Sequence, residues 1–217
     1  MLVGRAANRL HAIAADLTLR GAAVAEVRVF DARDTAEYST LIDDATRTLA
    51  GLDAALIAHG TLSNQHACEA SADLMLQEFQ TNALSVMALC TPLANYFEAQ
   101  KRGVIAVISS VAGDRGRQSN YVYGAAKAAV TVFLSGLRQR LHSKGVCVVT
   151  VKPGFVDTPM TAEFQKGLLW VSPTVVAKAI RRAMIRGTPV IYVPWFWRPI
   201  MAMVTAIPEF VFRRLRL

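Results

Sequence analysis

Cysteine is scarce. Cys68, Cys90 and Cys147 are the only three in 217 residues, odd in number, far apart and without metal-site spacing. That excludes a disulfide framework, gives no metal site, and reads as unpaired thiols in a reducing, cytoplasmic setting. No apolar run reaches the ~20 residues that span a bilayer. No basic stretch followed by an apolar one marks a secretory leader. Charged residues make up only 18% of the chain against 53% hydrophobic, which excludes global disorder. The net charge is +8, yet there is no zinc-finger spacing and no aromatic RNA-binding stretch, so no nucleic-acid partner is expected. The excess charge leaves an anionic ligand, an anionic membrane surface or a merely basic exterior. It gathers late in the chain, at Arg181, Arg182, Arg186, Arg198, Arg213, Arg214 and Arg216.

What is present is alternation. Short runs rich in valine and isoleucine at 24–30, 54–58, 104–108, 146–151 and 190–193 read as strands buried on both faces. Between them, 5–20, 34–50, 71–102 and 121–144 read as helices, the third kinked at Pro92. A further helix follows the cap Ser172-Pro173 and stops at Gly187. This order predicts an α/β fold with a doubly wound, mostly parallel sheet and helices on both faces. One domain is expected over 1–194, followed by an apolar, basic segment over 195–217. At the start, Leu2-Val3-Gly4 reads as the tail of a strand and Arg5 as the start of a helix, so the chain opens inside a βα unit.

The sharpest chemical signal is NYVYGAAKAAV. Tyr123 and Lys127 are four apart and share one helix face. A free phenol titrates near 10, too high for acid–base work at neutrality, and a nearby ammonium favours the phenolate. Alone, the pair also fits a surface tyrosine beside a lysine. However, Ser110 in VISSVAG closes one strand, and VKPGFVDTPM closes the next. Ligands of open α/β sheets gather at such carboxyl ends.

Ser110, Tyr123, Lys127, Pro153-Gly154 with Thr158, and Asn82 in the long helix together resemble the short-chain dehydrogenase/reductase family, from Met1 to about Val193. The resemblance implies a Rossmann-like fold and a nicotinamide cofactor. It implies that Tyr123 is the general acid, that Lys127 lowers its pKa and holds the ribose, and that Ser110 orients the carbonyl. Asn82 would support a water relay to Lys127. Pro153, Gly154, Val156 and Thr158 would line the nicotinamide, with Thr158 bonding its carboxamide. Arg5 would face an adenosine 2′-phosphate, which favours NADP(H), and Asp31 would flank the adenine. Structure alone also accounts for several of these: a solvated arginine at a helix start, an aspartate in a turn, an asparagine satisfied within its helix. Homo-oligomers through the long helices are also implied.

Two departures stand out. No G-x-x-x-G-x-G turn occurs anywhere in the chain. The family's first strand lies at the centre of its sheet, and without it two facing rows of backbone groups would be unpaired. The expectation is that roughly 30 residues, one βα unit, precede Met1. A chain truly beginning there should bind cofactor poorly and have low stability. Where the family carries Asn-Asn-Ala-Gly, this chain has Ile57-Ala58-His59-Gly60, so the ribose would pass Ala58, His59 and Gly60; His59 alternatively serves structure at a strand end.

The tail reads WFWRPIMAMVTAIPEFVFRRLRL. It suits either a membrane interface or packing on the core or a second subunit. Its I-P-x-x-x-F-R-R-L pattern, the I-A-H-G departure and V-Y-G-x-x-K resemble decaprenylphosphoryl 2-keto-pentose reductases. That resemblance implies a ketone carried on polyprenyl phosphate as substrate, a membrane-peripheral position, and EFQKGLLW as an apolar substrate wall. The rival readings are a reductase of small ketones or acyl substrates, and a non-catalytic remnant serving as a binding subunit.

Overall fold

A computed structural model describes residues 1–215; Arg216 and Leu217 lie outside the described residues. The order is β1 (Leu2–Gly4), α1 (Ala7–Leu19), β2 (Val27–Val29), α2 (Tyr38–Thr48), β3 (Ala54–Ile57), α3 (Gln65–Ala70), α4 (Ala72–Phe79), a π-helical segment (Gln80–Leu84), α5 (Ser85–Gln100), β4 (Gly103–Ile108), α6 (Tyr121–His142), β5 (Val146–Pro153), α7 (Pro173–Arg186), β6 (Val190–Val193), α8 (Trp197–Ala206) and α9 (Glu209–Phe212). All strand pairings are parallel. The expected α/β architecture, with parallel strands flanked by helices, is therefore present.

The strands form two sheets: β1 with β2, and β3-β4-β5-β6 in that order. Among the described residues no ladder joins them. A cavity of about 690 Å³ lies between, with Val3 and Gly4 on one wall and Ala54 to Ile57 on the other. The larger sheet carries the core. On one face, Phe97, Val130, Leu134 and Leu141 from α5 and α6 pack on Ile105 and Val107. On the other, Val176, Ile180 and Ala183 of α7 pack on Ala106, Val149 and Val151. Valine and isoleucine on both faces of a strand suit this double cover.

The long helical stretch 71–102 takes a π turn around Asn82, and Pro92 lies inside α5. A π turn inserts one extra residue and rotates the rest of the helix. The strand expected at 24–30 is shorter, covering Val27–Val29.

The tail packs through one face of α8. Trp197 and Met201 of α8 are buried against Val111. Arg115 binds the far end of the helix: its guanidinium donates to the carbonyls of Val204, Thr205 and Ile207, pairs with Glu209 and lies 3.6 Å from the Phe212 ring centroid. A cation at a helix C-terminus satisfies carbonyls that have no partner within the helix.

Candidate active site

The carboxyl end of β4 turns sharply. Ser110 caps a short 3₁₀ turn, its hydroxyl accepting from Ala112 N at 3.1 Å. This turn lies directly on α6. A Cβ on Gly124 would stand 2.9 Å from Ala112 O, so the glycine one residue after Tyr123 is what lets the turn approach. Ser110 thereby stands beside the Tyr123 phenol, close enough to lower its pKa.

Tyr123 and Lys127 project from one face of α6, with Nζ 5.7 Å from the Tyr123 ring centroid. Lys127 is 3% exposed, and its ammonium donates to Ile108 O at 3.1 Å. Burial holds its pKa down at about 8. Burial pushes the phenol of Tyr123 up, and Ser110 pulls it down less strongly. The lowered tyrosine pKa expected from the spacing is thus not found: the lost solvation of a phenolate outweighs the help it receives.

After β3 the chain passes these groups closely. Ala58 is exposed, and Gly60 runs beside the cluster: a Cβ there would lie 2.8 Å from Asn82 Oδ1 and 3.4 Å from Lys127 Nζ. Asn82 is fully buried. It accepts from Thr61 N at 2.9 Å and donates to Thr61 Oγ1 and Glu78 Oε2, both at 3.0 Å. The π segment turns Asn82 inward towards these partners. Thr61 and Glu78 carry no signal of their own in the sequence, and only their positions near the departure motif and one turn before Asn82 hint at them. His59 Nε2 is 2.8 Å from Ser85 Oγ, which itself donates to Thr81 O at 2.7 Å. Nε2 must then be the donor, which fits a neutral ring. Burial first, and then the Lys127 charge, hold the His59 pKa at about 4.

The end of β5 supplies the opposite wall. Pro153 is buried, and Gly154 lies against the tail. A Cβ on Gly154 would fall 1.9 Å from Trp197 Nε1. Phe155 stacks on Trp170 at 5.3 Å and meets Trp197 edge-on at 5.5 Å. Val156 bridges to Val171. Thr158 caps the next turn, with its N–H 3.2 Å from Thr161 Oγ1.

Arg5 and Asp31 lie at the open ends of β1 and β2, on the cavity between the sheets that also reaches His59, Gly60 and Thr61. Arg5 and Asp31 also line a cavity of about 830 Å³ together with Arg28 and Arg33. Asp31 takes both Arg33 Nη2 (2.7 Å) and Nε (3.2 Å), which holds its carboxyl at about 2, with a smaller contribution from Arg5. Arg5 is exposed, and among the described residues no ion pair holds it.

The family profile for short chain dehydrogenases matches residues 1–168. The chain belongs to the short-chain dehydrogenase family. It is 37% identical to an uncharacterised oxidoreductase of Mycobacterium tuberculosis strain H37Rv over 215 residues, which cover 99% of this chain and 86% of that one. It is 31% identical to an uncharacterised oxidoreductase of Streptomyces coelicolor, covering 99% and 84%. A ketoacyl reductase of Nostoc is 30% identical over 164 residues, covering 73% and 55%. The protein is an oxidoreductase of this family, whose members typically use a nicotinamide cofactor. No helix among the described residues is long and apolar enough to cross a membrane.

The site residues fit such a cofactor at its nicotinamide end. Lys127 offers three N–H donors and has one acceptor among the described residues. Gly60 leaves the backbone bare beside it. Lys127, Gly60 and the Pro153–Thr158 loop would hold the nicotinamide ribose and ring, and Arg5 the adenosine end.

Proposed function

We propose that this protein is an NADP(H)-dependent carbonyl reductase. The observation that carries the reading is the convergence of Ser110, Tyr123 and Lys127 at the carboxyl ends of β4 and β5. When bound, the reduced nicotinamide supplies the hydride. Tyr123 supplies the proton to the substrate oxygen. Its raised pKa keeps the phenol protonated at neutral pH, the form that reduction requires. Ser110 donates a hydrogen bond to the same oxygen and fixes the carbonyl's direction. Lys127 places a positive charge beside the phenol, which steadies the phenolate left after the transfer. Asn82 and Glu78 hold the Gly60–Thr61 turn against Lys127.

Arg5 at the cavity around Asp31 supports NADP(H) over NAD(H), since a 2′-phosphate there would meet a guanidinium. The substrate implied by the resemblance of the tail and the I-A-H-G motif to decaprenylphosphoryl 2-keto-pentose reductases is a ketone on a lipid-linked sugar. The exposed Trp195, Met203 and Phe210, beside exposed Arg198, Arg213 and Arg214, support contact between the tail and an anionic membrane surface. The Nostoc ketoacyl reductase supports a second reading, an acyl substrate.

Oxidation of NADPH followed against a panel of keto-sugar, ketoacyl and small ketone substrates tests the proposal. NADPH-linked turnover abolished by Tyr123→Phe is the expected result. Turnover retained in Tyr123→Phe, or no turnover of any ketone, overturns it. Flotation with anionic vesicles, with and without residues 195–217, tests the membrane contact: tail-independent behaviour removes it.

A further inference from the structure

Beneath the Ser110 turn lies a cluster of three polar side chains to which no catalytic task falls. Lys152 Nζ is 2.5 Å from Asp114 Oδ1, and the Tyr192 hydroxyl donates to Asp114 Oδ2 at 2.9 Å. Lys152 and Tyr192 face each other across β5 and β6, with Nζ and the hydroxyl 3.5 Å apart. The ion pair is almost dry, its side chains 10% and 8% exposed. Burying such a pair is costly, and apolar residues of similar size often serve stability as well or better. Its value then lies in fixing geometry.

The three residues sit where the site needs that. Asp114 ends the turn that Ser110 begins, and its own N–H returns to Val111 O. Lys152 is the last residue before Pro153-Gly154. Tyr192 belongs to the cluster of Val111, Trp197 and Met201 on which the turn and the tail both rest.

We propose that Asp114, Lys152 and Tyr192 form a positioning clamp, tying the Ser110 turn to the root of the Pro153–Thr158 loop so that the Ser110 hydroxyl and the nicotinamide wall keep a fixed separation. The clamp rests on the reductase reading only for what it serves; its mechanical action is separately measurable. Two chain segments more than thirty residues apart move as one because a carboxylate on the first holds an ammonium on the second. Arg115, the next residue, extends the same turn's hold to the tail.

Hydrogen exchange on the whole chain, read over 110–116 and 153–158, tests the clamp. Asp114→Leu/Lys152→Met leaves no buried charge unpaired, so a change in it reports lost connection and not a stranded ion. Exchange should rise roughly tenfold in both segments while α2 stays at its wild-type rate. Wild-type exchange in either segment overturns the proposal. Tyr192→Phe, which removes one hydrogen bond and keeps the pair, should raise both segments together by less; it is the deciding variant if the double substitution does not fold, and an unchanged or one-sided pattern in it also overturns the clamp. In NADPH-linked turnover the double variant should lower kcat in the wild-type background and add nothing to Ser110→Ala. An additive loss there overturns the route through Ser110. Absence of any turnover in the wild type counts against the reductase reading and leaves the exchange result to decide the clamp.

Discussion

Strands β5 and β2 are both parallel and rich in valine, yet they lie in different surroundings. β5 runs between β4 and β6, and seven of its eight residues are buried. β2 has β1 as its one partner, and no residue of either strand is fully buried; Val29 is 53% exposed. The functional groups divide along the same line. Ser110 follows β4, which is covered on both faces, and Tyr123 and Lys127 stand on α6, which packs on that sheet, so a hydroxyl is held beside a phenol. Arg5 and Asp31 belong to the open pair of strands, where solvent screens charge but an ionic attraction needs less exact placement than a hydrogen bond. In the proposed reductase the groups that would move a proton stand on the covered side, and the arginine that would attract an anion on the open side.

Substitutions on the two sides should therefore fail differently. The largest effect is expected from Tyr123→Phe, which should lower kcat by about 10²–10⁴ while the chain keeps its circular dichroism and thermal midpoint. Arg5→Ala is its counterpart on the open side: it should weaken NADPH by roughly tenfold, leave NADH unchanged and hardly touch kcat at saturation. Equal effects on both cofactors would show that Arg5 does not read the phosphate.

Gly154→Ala comes next. Its methyl would fall on Trp197, and overpacking of that kind costs about 1–3 kcal/mol in denaturant unfolding. Lys127→Met should move stability the other way. Lys127 titrates at about 8 in the folded chain against an ordinary 10.5, so the unfolded chain holds more protons between those values. The penalty is complete below pH 8 and fades as pH rises towards 10.5. The methionine variant should be more stable by about 2–3 kcal/mol at pH 7, inactive, and without the wild-type gain in stability at alkaline pH. The smallest contrast is the most direct one. Val107→Ala in β4, at a fully buried position, should cost about 2 kcal/mol, and Val29→Ala in β2 less than about 0.5 kcal/mol.

The covered half was the more legible in the sequence. Runs such as VIAVI and VCVVTV announce strands buried on both faces, and Tyr123 with Lys127 announces its geometry through helical spacing alone. The π segment at Asn82 was not legible. No residue type marks such an insertion, whereas Pro92 draws attention to a kink ten residues later. The direction of the Tyr123 pKa escapes the sequence for a related reason: spacing places an ammonium near the phenol, but depth of burial belongs to tertiary structure. The Asp114–Lys152–Tyr192 cluster lies on three elements, and its members have no sequence relation to one another. Composition left open where the tail would rest; the burial of Trp197 and Met201 came from the match between α8 and the Ser110 turn.

The tryptophans around Gly154 have an optical consequence. Trp170 and Trp197 both touch Phe155, while Trp195 stands 77% exposed. A dry indole emits further to the blue than a wet one, so Trp195→Phe would leave a spectrum dominated by the two rings that bracket the loop. Reduced nicotinamide absorbs where indoles emit. The loop thus carries its own donor fluorophores, and energy transfer from them would time cofactor arrival in a stopped-flow instrument without any label.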